Sequence, residues 1–326
     1  MILDITRHKF FEGFATLLLF AIVTTIATGI SHIPIETDVA TNAAPLGALI
    51  RHFAARHSVL SIIALAPIFV YAVLRLARAT ARASLYPQGT LAAISLGAIV
   101  LMALIPSAEY AMLSIVALLA CEAVGRLLYC FGPNIRAHHL FTAMLALGTL
   151  PLVDGVLVPI VAVVALLTIL LRGTLREAII TLVGVFAPLF ICCYIEWLMM
   201  GDFGAPLEGI KGTLLAASYT SIIGYITLPR LIFLGTLIAL ALLSIILYFT
   251  NRVSLGSGAR NVWFVLLMSI VTLTASMLLG YISPSIIIVM SIVIVPMLPM
   301  LFVCITPLLS VATYILFILT AIVALL

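Results

Sequence analysis

Two carboxylates and several cations stand close together between the first two long apolar runs of the chain. Glu36 and Asp38 come first, and Arg51 and Arg56 follow within an apolar stretch. A positioned carboxylate can act as a general base. A guanidinium group matches the oxygens of a phosphate. We therefore consider Glu36 and Asp38 candidate catalytic bases and the two arginines candidate partners of a phosphate, with a solvated loop as the alternative.

Three further ionisable residues lie within or beside apolar runs. Asp154 separates two short runs, Glu196 lies near the end of a long one, and Arg230 follows Pro229. Ionisable groups in membrane segments are costly and are often functional. We interpret all three as candidate substrate-binding residues. An interfacial carboxylate is the alternative for Glu196, and an ion pair with Glu196, Asp202 or Glu208 is the alternative for Arg230.

No motif for a bound cofactor or metal appears. The sequence has no phosphate-binding glycine loop, nucleophile elbow or pair of metal ligands. Its five cysteines lie in or beside apolar runs without zinc or disulfide spacing. Glu122 and Arg126 have the i,i+4 spacing of a neutralised helical pair. We therefore predict neither a cofactor nor a metal.

The composition indicates a membrane protein. Hydrophobic residues make up 65% of the chain and charged residues 8%, whereas soluble domains carry roughly 25% charged residues. The first run, Phe10–Ile30, is too long for the apolar part of a signal peptide and should remain as a helix. The net charge of +4 comes from arginines at helix ends, so it does not indicate a nucleic-acid partner.

The apolar runs predict an all-α polytopic bundle of about eleven transmembrane helices. These helices are Phe10–Ile30, Val59–Leu76, Leu91–Ile105, Tyr110–Tyr129, Leu140–Val153, Val156–Leu171, Ala178–Met200, Leu228–Phe249, Val262–Tyr281, Ser285–Ile305 and Leu308–Leu326. The fifth would be only about 21 Å long. The hairpin that it forms with the sixth is therefore either thin or re-entrant and buried against other helices.

The positions of the arginines predict the orientation. With the N-terminus in the cytoplasm, eleven of the 15 Lys and Arg residues lie on the cytoplasmic side, as the positive-inside rule requires. The whole chain, residues 1–326, forms one transmembrane domain. Residues 31–57 form a first outer loop with an interfacial amphipathic helix, and residues 201–224 form a second outer interfacial segment.

Three segments between Leu85 and Glu196 carry a resemblance to a known family. They read LYPQGTLAAISLGAIVLMALIPSAEYAML, GRLLYCFGPN and LRGTLREAIITLVGVFAPLF. In them the chain resembles an uncharacterised family of multi-pass inner-membrane proteins from Bacteroidota. The resemblance implies a Gram-negative inner membrane and no particular activity. The first outer loop also looks like that of GT-C glycosyltransferases, which place an acidic base there.

These patterns support three functional hypotheses. The first is the handling of a lipid-linked cell-envelope intermediate, by sugar transfer on the outer face or by movement of the lipid. The second is a small-solute transporter built on the broken hairpin at Asp154. The third is a non-catalytic subunit of a membrane complex. The expected partners are membrane lipids, together with a lipid-linked sugar or other membrane subunits.

Overall fold

The protein folds as a bundle of helices. A computed structural model describes residues 10–30, 44–83, 85–86, 90–131, 137–216, 225–251 and 255–325, and every regular element within these ranges is helical. Nine helical segments in them are long and apolar enough to cross a membrane. The predicted all-α polytopic membrane bundle is therefore confirmed.

Among the described residues, the first half of the bundle holds ten helical elements. They are α1 (Phe10–Ile30), α2 (Pro45–Arg56), α3 (Ser58–Arg82), α4 (Ala93–Leu104), α5 (Tyr110–Cys130), α6 (Ala137–Val153), a 3-10 turn (Gly155–Leu157), α7 (Val158–Arg172), α8 (Leu175–Met200) and α9 (Ala205–Ala216). The second half holds α10 (Leu228–Asn251), α11 (Ser257–Leu278), α12 (Pro284–Ile294), α13 (Leu298–Cys304) and α14 (Pro307–Leu325). Every predicted transmembrane segment has a helical counterpart, but those of Leu91–Ile105 and Leu140–Val153 are shorter helices that are not among the nine candidate spans.

The tenth predicted segment differs from the structure because it is not continuous. A turn at residues 295–297 separates α12 from α13. Pro296 and Pro299 lie at this break, and proline removes a backbone donor and crowds the preceding turn of a helix. Together the two helices form the most buried span, with 89% of its residues buried. The centre of the bundle is therefore an interrupted helix.

Side chains from other segments satisfy backbone carbonyls near this interruption. The hydroxyl of Tyr86 donates to the carbonyl oxygen of Pro296 over 2.6 Å. The indole nitrogen of Trp263 donates to the carbonyl oxygen of Leu85 over 3.3 Å. Non-helical backbone at membrane depth is tolerated where protein groups form hydrogen bonds with its free carbonyl and amide groups. These two hydrogen bonds do so for the carbonyl oxygens of Pro296 and Leu85.

Helix α4 is the second element of the core. All its residues are buried, and its 12 residues span about 18 Å. Such a length does not cross a bilayer core of about 30 Å. The preceding residues Leu85, Tyr86 and Thr90 are also buried. Helix α4 is therefore a short helix enclosed by the longer helices.

The central hairpin packs closely against α8. A Cβ atom on Gly148 of α6 would overlap the carbonyl oxygen of Val185. A Cβ atom on Gly184 of α8 would lie 2.7 Å from the Cβ atom of Met144. Small residues allow membrane helices to approach at backbone distance. These two glycines therefore set the separation of α6 and α8.

Two short helices cover the tip of the hairpin. In α2, a Cβ atom on Gly47 would overlap the carbonyl oxygen of Val153. In α9, the carbonyl oxygen of Ile210 lies so close to Gly155 that a Cβ atom there would overlap it. The contacts bring residues of both predicted outer segments onto the hairpin tip at Asp154.

Candidate functional site: a polar cluster at one end of the bundle

Polar residues from six parts of the chain meet at the end of the bundle that contains the hairpin tip. We call this end the outer end, following the predicted orientation, and the opposite end the inner end. The outer polar cluster consists of Arg51, Glu109, Asp154, Thr213, Tyr225, Arg230 and Ser283.

The first part of the outer polar cluster is an ion pair. A terminal nitrogen of Arg51, in α2, lies 3.3 Å from the Oε1 atom of Glu109, which directly precedes α5. The same nitrogen lies 3.4 Å from the sulfur atom of Met112. The two charged side chains are 41% and 38% exposed. An ion pair with this exposure contributes little to stability, so another anion can replace the carboxylate at low cost.

The second part holds Arg230 rigidly against backbone carbonyls. Its guanidinium group donates to the carbonyl oxygen of Tyr225 over 3.0 Å and to the carbonyl oxygen of Pro106. It also lies 4.8 Å from the centroid of the Tyr225 ring. The hydroxyl of Tyr225 donates to the carbonyl oxygen of Leu104 over 2.7 Å. These contacts fix the guanidinium group of Arg230 against Pro106, which lies three residues before Glu109 in the chain. Both arginines therefore contact the segment from Pro106 to Glu109.

The third part is the carboxylate at the hairpin tip. Asp154 is 7% exposed. Its Oδ1 atom accepts a hydrogen bond from the backbone nitrogen of Val156 at 3.1 Å. Its Oδ2 atom accepts one from the hydroxyl of Ser283 at 2.6 Å. Beside it, the backbone nitrogen of Gly155 donates to the hydroxyl of Thr213 over 3.1 Å. Hydrogen bonds therefore stabilise this buried acid, which also ties the hairpin to α12.

The charges within the cluster influence one another. Burial raises the pKa of the Glu109 carboxyl group; the Arg51 guanidinium opposes this effect, and the Asp154 carboxylate adds to it. Burial also raises the pKa of the Tyr225 hydroxyl, although Arg230 opposes the shift. Glu109 therefore gains a proton at a higher pH than an ordinary glutamate does.

Both arginines retain an unused donor. The Nε atoms of Arg51 and Arg230 are buried and have no hydrogen-bond partner in the part of the chain that the structure describes. A buried donor without a partner costs about 1–3 kcal/mol. An anion with several oxygen atoms would satisfy such donors, and a phosphate has the required geometry.

The structure brings together three of the seven predicted site residues, namely Arg51, Asp154 and Arg230. Arg56 is exposed at the end of α2, and Glu196 is partly exposed in the last turn of α8. Glu36 and Asp38 lie outside the described residues.

Within the described ranges, Arg230 forms no ion pair. The sequence offered Glu196, Asp202 or Glu208 as its partner. Its guanidinium group instead donates to carbonyl oxygens, one of which, that of Pro106, lies in the turn between α4 and α5.

Sequence reasoning did not select Glu109, Tyr225 or Ser283 as site residues. Glu109 follows Pro106 at the end of an apolar run, on the side of the membrane that the predicted orientation makes the outer one. The sequence indicated a role for Glu109 only in one way: the predicted orientation places this acid on the same outer side as Arg51 and Arg56. Tyr225 and Ser283 gave no comparable signal, because their contacts join residues 121 and 129 positions apart.

A second charged cluster lies towards the inner end. Glu122 accepts a hydrogen bond from Arg75 of α3 over 2.8 Å and another from Arg126. The predicted pair of Glu122 and Arg126 is thus part of a triad. The three side chains are 18–23% exposed, and Arg75 also lies 5.9 Å from the centroid of the Tyr129 ring. Each cation has a partner, so we assign this triad a structural role.

The outer polar cluster has no donor set for a metal. The described residues contain no group of three His, Cys, Asp or Glu side chains arranged around a common point. Two cations, two acids and a tyrosine can instead bind an anion and exchange a proton with it. Compared with known protein families, curated proteins and solved structures, the chain gives no match.

Proposed function

We propose that this membrane protein binds the phosphate-bearing head of a lipid-linked cell-envelope intermediate at the outer polar cluster. The observation that carries the proposal is that Arg51 and Arg230, two partly buried arginines, both contact the segment around Glu109. Each also keeps a buried Nε donor that has no partner among the described residues. The membrane in this proposal is a bacterial inner membrane, in accord with the resemblance described above, and the cluster faces away from the cytoplasm.

Binding of the head group would exchange one anion for another. Within the described residues Arg51 forms one exposed ion pair, with Glu109, whereas a phosphate can accept two parallel hydrogen bonds from a guanidinium group. Arg230 is already oriented by carbonyl oxygens, so little side-chain entropy is lost when it binds. The ligand would displace Glu109 from Arg51 and use Arg230 as a fixed anchor.

The test is binding of a polyprenyl phosphate to the purified protein in nanodiscs. We expect Arg51→Gln and Arg230→Gln each to weaken binding about tenfold, because each removes a charge-assisted hydrogen bond. Arg56→Gln is the matched control, since it lies in the same helix but is exposed, and it should bind like the wild type. Equal binding by all four proteins would refute the proposal.

The pH dependence of binding provides a second prediction. The pKa of Glu109 is raised by burial, so its carboxylate is neutralised as the pH falls towards that pKa from above. Protonation frees Arg51, and binding of polyprenyl phosphate should therefore tighten as the pH falls. The charged and titratable groups around Glu109 are Arg51, Asp154, Tyr225 and Arg230.

The variant Glu109→Gln separates this effect from titration of the phosphate itself. It should bind up to about fivefold more tightly than the wild type at pH 8, because an exposed ion pair such as that of Arg51 and Glu109 contributes about 0.2–1 kcal/mol. Its remaining pH dependence should reflect only the ligand, whose second pKa is about 6. An unchanged profile in the variant would exclude Glu109 as the titrating group.

The proposal has an enzymatic and a non-enzymatic form. In the enzymatic form, Glu36 or Asp38 acts as the base for sugar transfer to or from the bound lipid. The wild-type gene should then change the envelope glycolipids of the cells that express it. The double variant Glu36→Gln and Asp38→Asn should not. Unaltered glycolipids together with intact lipid binding would leave movement of the lipid as the function.

A small-solute transporter is the second candidate, and one observation favours it. The central span is interrupted at residues 295–297, and transporters commonly bind substrates where helices are broken near the middle of the membrane. Uptake of a solute by proteoliposomes, lost on Pro296→Ala, would support this candidate. Co-purification with other chains would instead favour a non-catalytic subunit, if lipid binding, glycolipids and solute uptake are the same in all these variants as in the wild type.

A further inference from the structure

An apolar groove opens on the side of the bundle between α7 and α8. It has a volume of about 510 Å³, which lies within the usual range of ligand pockets. The described residues that line it include no charged side chain. The back wall is formed by buried residues that include Leu152, Val161 and Ala165, and the rim by exposed residues that include Leu166 and Phe186.

Small residues on α6 and α7 leave the space that forms the groove. Gly148 lets α6 and α8 meet at backbone distance. On α7, Ala162 and Ala165 face the groove and leave the space unfilled. The lining runs along α7 from Val158 to Ile169, which is about 16 Å of helix. The shape is therefore long, narrow and continuous with the lipid-facing surface.

The outer end of the groove adjoins the hairpin tip. Leu207 and Ile210 of α9 close it from above. The carbonyl oxygen of Ile210 also lies against Gly155, and the hydroxyl of Thr213 accepts a hydrogen bond from the same glycine. The next polar group is Asp154. A molecule lying in the groove would therefore have one end near the outer polar cluster and the other within the membrane.

The position of α9 distinguishes between possible occupants. A transmembrane helix seated in the groove would have to end beneath α9, where the last turn of its backbone would lack hydrogen-bond partners. A hydrocarbon chain has no such groups to satisfy. The exposed side chains of Glu208 and Lys211 on α9 suit the head-group layer, where a cation attracts anionic lipids.

We infer that the groove between α7 and α8 binds the hydrocarbon chain of a lipid whose anionic head lies at the outer end of the bundle. That this head belongs to the lipid-linked substrate rests on the proposed function. The site for the hydrocarbon chain rests only on the residues that line the groove. The chain anchors the lipid beside the hairpin tip, and the outer polar cluster binds its phosphate.

The test uses the purified protein in nanodiscs that contain phosphatidylglycerol with a diazirine midway along one acyl chain. After irradiation, we expect labelled peptides to map to residues 158–169 and 182–189 rather than to other lipid-facing helices. Ala162→Trp should lower this labelling about tenfold, because the indole ring would fill space that the acyl chain occupies. Val271→Trp, at an exposed position of α11, is the matched control and should leave it unchanged.

Three results would overturn the inference. They are uniform labelling of all lipid-facing helices, unchanged labelling in Ala162→Trp, and a photocrosslinker at Phe186 that joins the groove to a second copy of the chain. The milder variant Ala162→Leu provides the same comparison if the tryptophan variant does not fold. Groove labelling that persists while Arg51→Gln and Arg230→Gln bind polyprenyl phosphate normally would refute the proposed function but not the chain site.

Discussion

Replacement of Glu122 by glutamine is expected to destabilise the protein by about 3 kcal/mol, the lower end of the cost of removing one partner from a buried ion pair, because the triad is only partly buried. Glu122 neutralises both Arg75 and Arg126, and the three side chains are 18–23% exposed. An uncharged amide leaves two cations close together with no anion between them. Thermal unfolding in nanodiscs, followed by the fluorescence of the buried Trp263, measures the loss.

Two further variants test the cause of this loss. Glu208→Gln removes an exposed carboxylate on α9 and should change stability by no more than about 0.5 kcal/mol. A triple variant with Arg75→Met, Glu122→Leu and Arg126→Met should recover much of the lost stability, because apolar residues can replace a buried ion cluster. Wild-type stability in Glu122→Gln would show that water already screens the triad.

Substitution of Gly148 by alanine should have the second-largest effect. The new Cβ atom would overlap the carbonyl oxygen of Val185 and lie 2.9 Å from its carbonyl carbon. Both atoms belong to the backbone of α8, so no side-chain rotation relieves the overlap. Helices α6 and α8 must separate, and overpacking of this kind costs about 1–3 kcal/mol. Thermal unfolding again provides the measurement.

Gly235→Ala is the matched control for that substitution. Gly235 also lies within a long apolar helix, α10, but a Cβ atom there would have no neighbour within 4 Å. Because alanine favours the helix over glycine by about 0.5–1 kcal/mol, this variant should be slightly more stable than the wild type. Equal stability of the two variants would show that α6 and α8 do not depend on the backbone contact at Gly148.

The helices were largely predictable because the bilayer limits their length and composition. Helices α1 and α5 begin at Phe10 and Tyr110, and α8 ends at Met200, as the apolar runs indicate. The interruption before Leu298 was not predictable. Proline is tolerated inside membrane helices, as at Pro188 in α8, and whether the helix breaks depends on groups such as the Tyr86 hydroxyl that satisfy the exposed carbonyl.

The site was predictable as residues but not as an arrangement. Arg51, Asp154 and Arg230 are conspicuous because charged groups are rare in this chain. Their meeting place is not visible in the sequence, since Arg51 and Glu109 lie 58 positions apart and Arg230 and Pro106 lie 124 apart. Local patterns describe only neighbours within a few turns, whereas this cluster depends on how the short helices pack.

The hydrogen bond between Asp154 and Ser283 also constrains how the protein is made. Its two residues are 129 positions apart, and a ribosome adds about 5–20 residues per second. The hairpin therefore waits in the membrane for about 6–26 seconds of synthesis before the serine emerges to bind its carboxylate. During that interval the Oδ2 atom of Asp154 lacks its serine donor, so water or the insertion machinery must supply a hydrogen bond in its place.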